Sequence, residues 1–194
     1  MKMITYKAVD SGFFPQYDQV PMRVRVSSYY RIEKHNRGLG GFALVETPVD
    51  QPYIKDFCVG DDESVERWKR WGISNWAFFM AFDGERPVGA AAVASRTKNI
   101  NMLSGRDDLA VLWDIRVDGD YKGQGVGQRL FDMAVEWSRS QGIVQMKIEC
   151  QTNNVPACKF YHRQGAVLAA IDEYAYYNES EYRHEVQLIW MLDL

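Results

Sequence analysis

Leu112-Trp113-Asp114-Ile115-Arg116-Val117-Asp118-Gly119-Asp120-Tyr121-Lys122-Gly123-Gln124-Gly125-Val126-Gly127-Gln128-Arg129 runs from a strand-like apolar stretch, through three alternate glycines, into the start of a helix. Gly123, Gly125 and Gly127 have no Cβ, so the backbone can turn sharply there. It can also present successive N–H groups to an anion at the positive end of the following helix. The stretch therefore predicts a phosphate cradle formed by Lys122, Gly123, Gln124, Gly125, Val126, Gly127 and Gln128. Its spacing excludes two other phosphate loops. A dinucleotide fingerprint needs G-x-G-x-x-G, but the sixth position is Gln128 counted from Gly123 and Leu130 counted from Gly125. The nucleoside triphosphate string G-x-x-x-x-G-K-[ST] is absent from the chain. Taken alone, the glycines are also compatible with an ordinary turn before a helix.

A second segment decides between these readings: Lys147-Ile148-Glu149-Cys150-Gln151-Thr152-Asn153-Asn154-Val155-Pro156-Ala157-Cys158-Lys159-Phe160-Tyr161-His162-Arg163-Gln164-Gly165-Ala166. The pair resembles the Gcn5-related N-acetyltransferases, with a first motif [R/Q]-x-x-G-x-[G/A] and a second N-x-x-A-x-x-F-Y-x-x-x-G-F. The first falls on Lys122, Gly125 and Gly127, and the second on Asn154, Ala157, Phe160, Tyr161 and Gly165. Two positions depart from the pattern. Lys122 keeps the cation but not the guanidinium fork, and Ala166 replaces an aromatic. Within that superfamily the chain is similar to the streptothricin acetyltransferases. The similarity lies in Glu149-x-Gln151-x-Asn153-Asn154-x-x-Ala157-Cys158-Lys159-Phe160-Tyr161-His162, and upstream in Arg31-Ile32-Glu33 and Pro52-Tyr53-Ile54-Lys55.

The resemblance implies acetyl-CoA as cofactor and a set of roles. The edge of Ile115-Arg116-Val117 would pair with the pantetheine amides as a short extra strand does, and an N–H there, that of Ile115, would polarise the thioester carbonyl. An amine is protonated at neutral pH and needs a base. Glu149 is the first choice, from its place five residues before Asn154, where the ribosomal-protein acetyltransferases of this superfamily carry theirs. Asp114 is the alternative base and Asp118 a weaker one; a surface strand glutamate is the plain reading of Glu149. Tyr161 would protonate the departing thiolate, or else serve as an aromatic core residue beside Phe160. Asn154 would bond the cofactor arm, a position compatible with a helix N-cap.

Composition bounds the rest. The chain has 194 residues, of which 46% are hydrophobic and 25% charged, enough for one globular domain with a substantial core. We expect a single domain over 1–194, with a divergent part over 1–76 and the motif-bearing core over 77–194. No window approaches ~18 uninterrupted apolar residues, and the first residues lack the apolar centre of a signal peptide, so no membrane span and a cytoplasmic location are expected. A net charge of −3 without a basic block argues against a nucleic-acid surface and suits a cationic substrate. Cys58, Cys150 and Cys158 form no C-x-x-C pair, and His35, His162 and His184 have no ligand spacing, so no disulfide framework and no metal are expected.

Along the chain, Met22–Val26 and Phe42–Glu46 read as strands around the turn-forming Asn36–Gly41, giving a hairpin. Asp61-Asp62-Glu63-Ser64 reads as a helix start. Ala77–Phe82 and Val88–Ala94 flank an Asp83-Gly84 turn. Arg96–Asp108 is a polar loop and Leu109–Val117 a strand. Gly125–Gln141 is a helix stopped by Gly142, Val144–Cys150 a strand, and Pro156–Gln164 a helix stopped by Gly165. Val167–Ala175 and Glu185–Leu192 finish as strands. The aromatic and acidic run Asp172-Glu173-Tyr174-Ala175-Tyr176-Tyr177 suggests either a cation-accepting wall or plain strand. The fold class is α/β (α+β). With the resemblance, it is a mixed, mostly antiparallel sheet of six to seven strands flanked by about four helices and splayed between its fourth and fifth strands.

The leading function is acetyl transfer to a primary amine of a small cationic molecule of streptothricin type, by direct attack in a ternary complex. Acetylation removes a positive charge and would weaken binding to RNA phosphate. A protein or peptide N-acetyltransferase, a non-catalytic acyl-CoA-binding sensor and an interaction module remain alternatives. A homodimer through the last strands is compatible with this reading.

Overall fold

The computed structural model describes residues 3–58 and 64–194. The helix start read at Asp61-Asp62-Glu63 lies outside the described residues. Ser64 does cap a 3₁₀ stretch, Val65–Trp71, by accepting a hydrogen bond from the Glu66 N–H. The strands are β1 (Ile4–Val9), β2 (Arg23–Lys34), β3 (Phe42–Asp56), β4 (Ala77–Asp83), β5 (Arg86–Ser95), β6 (Leu109–Val117), β7 (Gln145–Gln151), β8 (Val167–Asp172) and β9 (Gln187–Asp193). The α-helices are α1 (Phe14–Tyr17), α2 (Val126–Ser140) and α3 (Val155–Arg163). Seven strands form a mixed sheet in the order β1-β4-β5-β6-β7-β9-β8, while β2 and β3 pair with each other. The chain divides into two compact units, each built from separated segments. One contains Met1–Arg23, Asp56–Ile148 and Leu192–Leu194; the other contains Val24–Lys55 and Glu149–Met191.

In the first unit, β4 and β5 form a hairpin closed at Asp83↔Arg86, with Gly84 at φ 61° taking the left-handed turn conformation that favours glycine. Side chains alternate across a strand. Phe78, Met80 and Phe82 of β4 and Ala90, Ala92 and Ala94 of β5 share one cluster with Phe14 and Tyr17 of α1, Trp68 and Trp76. The β5 alanines leave room for that aromatic layer, in which Phe14 meets Phe78 edge-on at 5.0 Å. The other face of β5 takes α2, whose Val126, Leu130, Phe131 and Ala134 are buried. Gly89 allows this approach, because a Cβ there would lie 2.9 Å from both Leu130 Cδ1 and Val126 Cγ1.

Several features depart from the reading of the sequence. Ile4–Val9 forms a sheet strand, with Ile4↔Asp83 to Val9↔Phe78 in register against β4. The stretch Arg96–Asp108 is more than a polar loop, since a short 3₁₀ turn, Asn101–Leu103, follows buried Ile100 and itself buries Leu103. The strand read over Val167–Ala175 stops at Asp172, whose carboxylate accepts the Tyr174 N–H at 2.8 Å and turns the chain; turns follow through Tyr177.

In the second unit, β2 and β3 extend well beyond the two short strands read from the sequence. Asn36, Arg37, Gly38 and Gly41 adopt positive φ between them. The Tyr30 N–H of β2 donates to the Thr152 carbonyl at 2.9 Å, and the Thr152 N–H to the Val186 carbonyl at 3.0 Å.

Candidate active site

The cradle lies in the first unit. After β6, Asp118 caps a 3₁₀ turn, Gly119–Tyr121, and the chain enters α2 through Gly123 at φ 74° and Gly125 at φ 84°. A Cβ on either glycine would meet no atom within 4 Å; glycine is needed for the backbone conformation, and the space above it stays open. Gly125 takes the N-cap position of α2 without a side-chain cap, and the helix's first return bond is from the Arg129 N–H to the Gly125 carbonyl at 3.0 Å. The N–H groups of Val126, Gly127 and Gln128 thus precede any intrahelical acceptor, at the positive end of a fifteen-residue helix. The side chains around them are engaged elsewhere. Lys122 Nζ donates to the Arg23 carbonyl at 2.5 Å, Gln124 Nε2 to the Asp120 carbonyl at 2.7 Å, and Gln128 Nε2 to Asp132 Oδ1 at 2.8 Å. The donors that this loop leaves over are backbone N–H groups at the start of α2.

Immediately upstream, β6 is bulged. Its register against β5 runs Val93↔Leu112 and then Ala92↔Asp114, so Trp113 is the extra residue. On the other side, the parallel register with β7 covers only Leu109↔Gln145 to Leu112↔Ile148. These are the fourth and fifth strands of the sheet, where the splay was expected. Ile115, Arg116 and Val117 pair with Ala91, Ala90 and Gly89, and have no registered partner among the described residues along their second edge.

The side chains of Asp114 and Arg116 turn into the core. Asp114 is 7% exposed and accepts from Arg116 Nε and Tyr17 OH, both at 2.9 Å, on Oδ1, and from Arg116 Nη2 at 2.5 Å on Oδ2. Burial opposes the charge on Arg116, yet the Asp114 carboxylate holds the guanidinium firmly protonated; burial and the same carboxylate push the Tyr17 phenol well up. Tyr17 was invisible as a site residue because it lies ninety-seven positions from its partner. Asp118 pairs with Arg86 at 2.7 Å.

The remaining candidates lie in the second unit. Glu149, half-buried on β7, accepts from the Tyr176 hydroxyl and, at 3.3 Å, from Gln151 Nε2, both on Oε1. Gln151 Nε2 also reaches the Tyr176 oxygen at 3.1 Å. Burial, then the Glu149 charge, pushes the Tyr176 phenol well above its ordinary value. Asn154 is the N-cap of α3, its Oδ1 accepting the Ala157 N–H at 3.3 Å, and Pro156 occupies the first turn, where its missing N–H is harmless. Tyr161 on α3 is 5% exposed and packs edge-on against Phe160 at 5.6 Å. Cys150 and Cys158 are buried, free thiols with sulfurs 3.4 Å apart.

One cluster here was not found from the sequence. Glu185, 6% exposed, pairs with Lys55 and accepts from Asn153 Nδ2 at 2.9 Å; the buried Asn153 Oδ1 has no partner. Lys55 and Asn153 sit in stretches the sequence singled out, but nothing local points to Glu185, 130 residues beyond Lys55.

Known proteins resemble this chain in sequence and in fold. Residues 41–166 match the model of the acetyltransferase (GNAT) family. The chain is similar to a streptothricin acetyltransferase of Escherichia coli, 32% identical over 150 residues, covering 77% of this chain and 75% of that one. It is also similar to streptothricin acetyltransferase A of Bacillus subtilis, 31% identical over 151 residues, covering 78% and 79%. Its fold matches, at a TM-score of 0.76 and 22% identity, the structure of a Bacillus anthracis protein assigned as a streptothricin acetyltransferase, solved in complex with acetyl coenzyme A; 100% of this chain and 98% of that one are covered. A glycine cradle entering α2, an edge beyond a bulge on β6 with no registered partner among the described residues, the Asn154–Gly165 helix motif and this family match lead to one conclusion: the chain belongs to the GNAT family of acetyltransferases.

Proposed function

We propose that the protein transfers the acetyl group of acetyl-CoA to a primary amine of a small cationic molecule of streptothricin type, by direct attack within a ternary complex and as one catalytic domain. The observation that carries the cofactor reading is the open backbone cradle at Gly123–Gln128, next to the free edge of Ile115–Val117. Those elements fit a pyrophosphate followed by an amide-bearing arm. Support for the acceptor comes from the two streptothricin acetyltransferases to which the chain is more than 30% identical.

Bound acetyl-CoA supplies an activated acyl group and a thiolate leaving group. The backbone amides from Lys122 to Gln128 hold its pyrophosphate, since they are oriented donors at a helix N-terminus. The Ile115–Val117 edge aligns the arm by strand-like hydrogen bonds, and the Ile115 N–H is the donor aimed at the acyl oxygen. Asn154 aids the arm from the start of α3 while capping that helix. Glu149 would take one proton of the attacking ammonium, and Tyr161 would give one to the departing sulfur and be reprotonated by the second nitrogen proton, lost as the tetrahedral adduct collapses. With both Asp114 oxygens engaged by Arg116 and Tyr17, Glu149 is the carboxylate on which this reading rests. The test is incubation of purified protein with acetyl-CoA and streptothricin, against a peptide panel, following thiol release and product mass. Acetylated streptothricin is expected; acetylation of a peptide with no turnover of the antibiotic would overturn the acceptor assignment.

A further inference from the structure

The β8–β9 connection places a phenol on the carboxylate assigned as base. Tyr176 donates to Glu149 Oε1, and its own oxygen accepts from Gln151 Nε2 at 3.1 Å. Gln151 lies on β7 and Tyr176 on the turn run after β8, so two separate segments of one unit meet at this hydroxyl. Both donors to Glu149 use Oε1, and no described residue donates to Oε2.

We infer that Tyr176 is a positioning residue for acetyl transfer: held by Gln151, its hydroxyl fixes Oε1 of Glu149 and leaves Oε2 as the oxygen that takes the ammonium proton. The inference rests on the assignment of Glu149 as base. A phenol donating to a carboxylate makes a charge-assisted hydrogen bond, stronger than a neutral one, so it holds one oxygen of the base in place while the other has no donor among the described residues.

Tyr176→Phe removes the hydroxyl and keeps the ring. We expect kcat to fall about tenfold, the weight of one hydrogen bond to a charged group, with the KM for acetyl-CoA unchanged. A purely structural role would lower stability and leave kcat, measured well below the unfolding transition, at its wild-type value. If Tyr176→Phe does not fold, Gln151→Leu, which removes the amide that reaches both Glu149 and Tyr176, should lower kcat about threefold, again at unchanged KM. Wild-type kcat in these variants, with activity lost in Glu149→Gln, overturns the role of Tyr176 alone. Wild-type kcat in Glu149→Gln overturns the base assignment itself.

Discussion

Replacing Asp114 with asparagine separates a structural role from a catalytic one at the residue that a sequence reader would place second among possible bases. The carboxylate accepts three hydrogen bonds, two of them from the Arg116 guanidinium, and Asp114 and Arg116 are 7% and 6% exposed. Asparagine keeps the shape but has a single acceptor oxygen. Its NH₂ must face the guanidinium either way, Nη2 from the Oδ2 position or Nε together with the Tyr17 hydroxyl from the Oδ1 position, and the Arg116 charge loses its counter-ion in a site with almost no access to water. Removing one partner of such a pair costs about 3–5 kcal/mol. For a chain of this size that corresponds to a fall in Tm of about 10 °C. Thermal unfolding followed by circular dichroism, beside steady-state kinetics well below the transition, would measure both effects. We expect a large loss of stability and, at low temperature, a kcat within about threefold of wild type, since this reasoning assigns Asp114 no proton to move. A variant as stable as wild type but catalytically dead would refute it and return Asp114 to the list of bases.

Gly125→Ala forces a Cβ onto a residue at φ 84°, where nothing crowds it; the strain of about 1–2 kcal/mol should appear as a raised KM for acetyl-CoA with kcat nearly unchanged, measurable by initial rates. Gly89→Val drives two methyl groups against Val126 and Leu130 of α2 and should lower unfolding stability in urea by about 1–3 kcal/mol. Glu185→Gln removes the charge opposite Lys55, with side chains 6% and 10% exposed, and should destabilise by about 3 kcal/mol. Proteolytic susceptibility within Val24–Lys55 and Glu149–Met191, read by mass spectrometry, would detect this.

What was legible in the sequence was local. Gly125 before Val126, Gly142 after Gln141, Asn154 before a proline-bearing first turn and Gly165 after Gln164 each mark a helix end by their own conformational preference, and both long helices lie where those residues put them. The strand Leu109–Val117 was readable for another local reason, an apolar run from Leu109 to Trp113 followed by residues that do not alternate cleanly. What stayed hidden depends on partners far away in the chain. Ile4–Val9 has a mixed exposure pattern and becomes a strand through β4, more than seventy residues on. Tyr17 acquires its meaning from Asp114, and Glu185 from Lys55. Tyr176 sat in an aromatic run that reads equally as strand or as wall; only the Asx-type turn at Asp172 brings its hydroxyl onto Glu149.

The second unit is assembled from Val24–Lys55 and Glu149–Met191, two pieces separated by nearly the whole of the first. During synthesis the β2–β3 ribbon leaves the ribosome well before the segment that completes it. At about 5–20 residues per second, the roughly ninety intervening residues impose a wait of several seconds. An isolated two-stranded ribbon is marginal in water, so through that interval Lys55 has no Glu185, and the ribbon's exposed Leu39, Phe42 and Ile54 lie on a chain that has not yet found its companion. Translation speed through Asp56–Ile148, as much as any contact in the finished fold, sets how long the nascent chain is open to association with its neighbours.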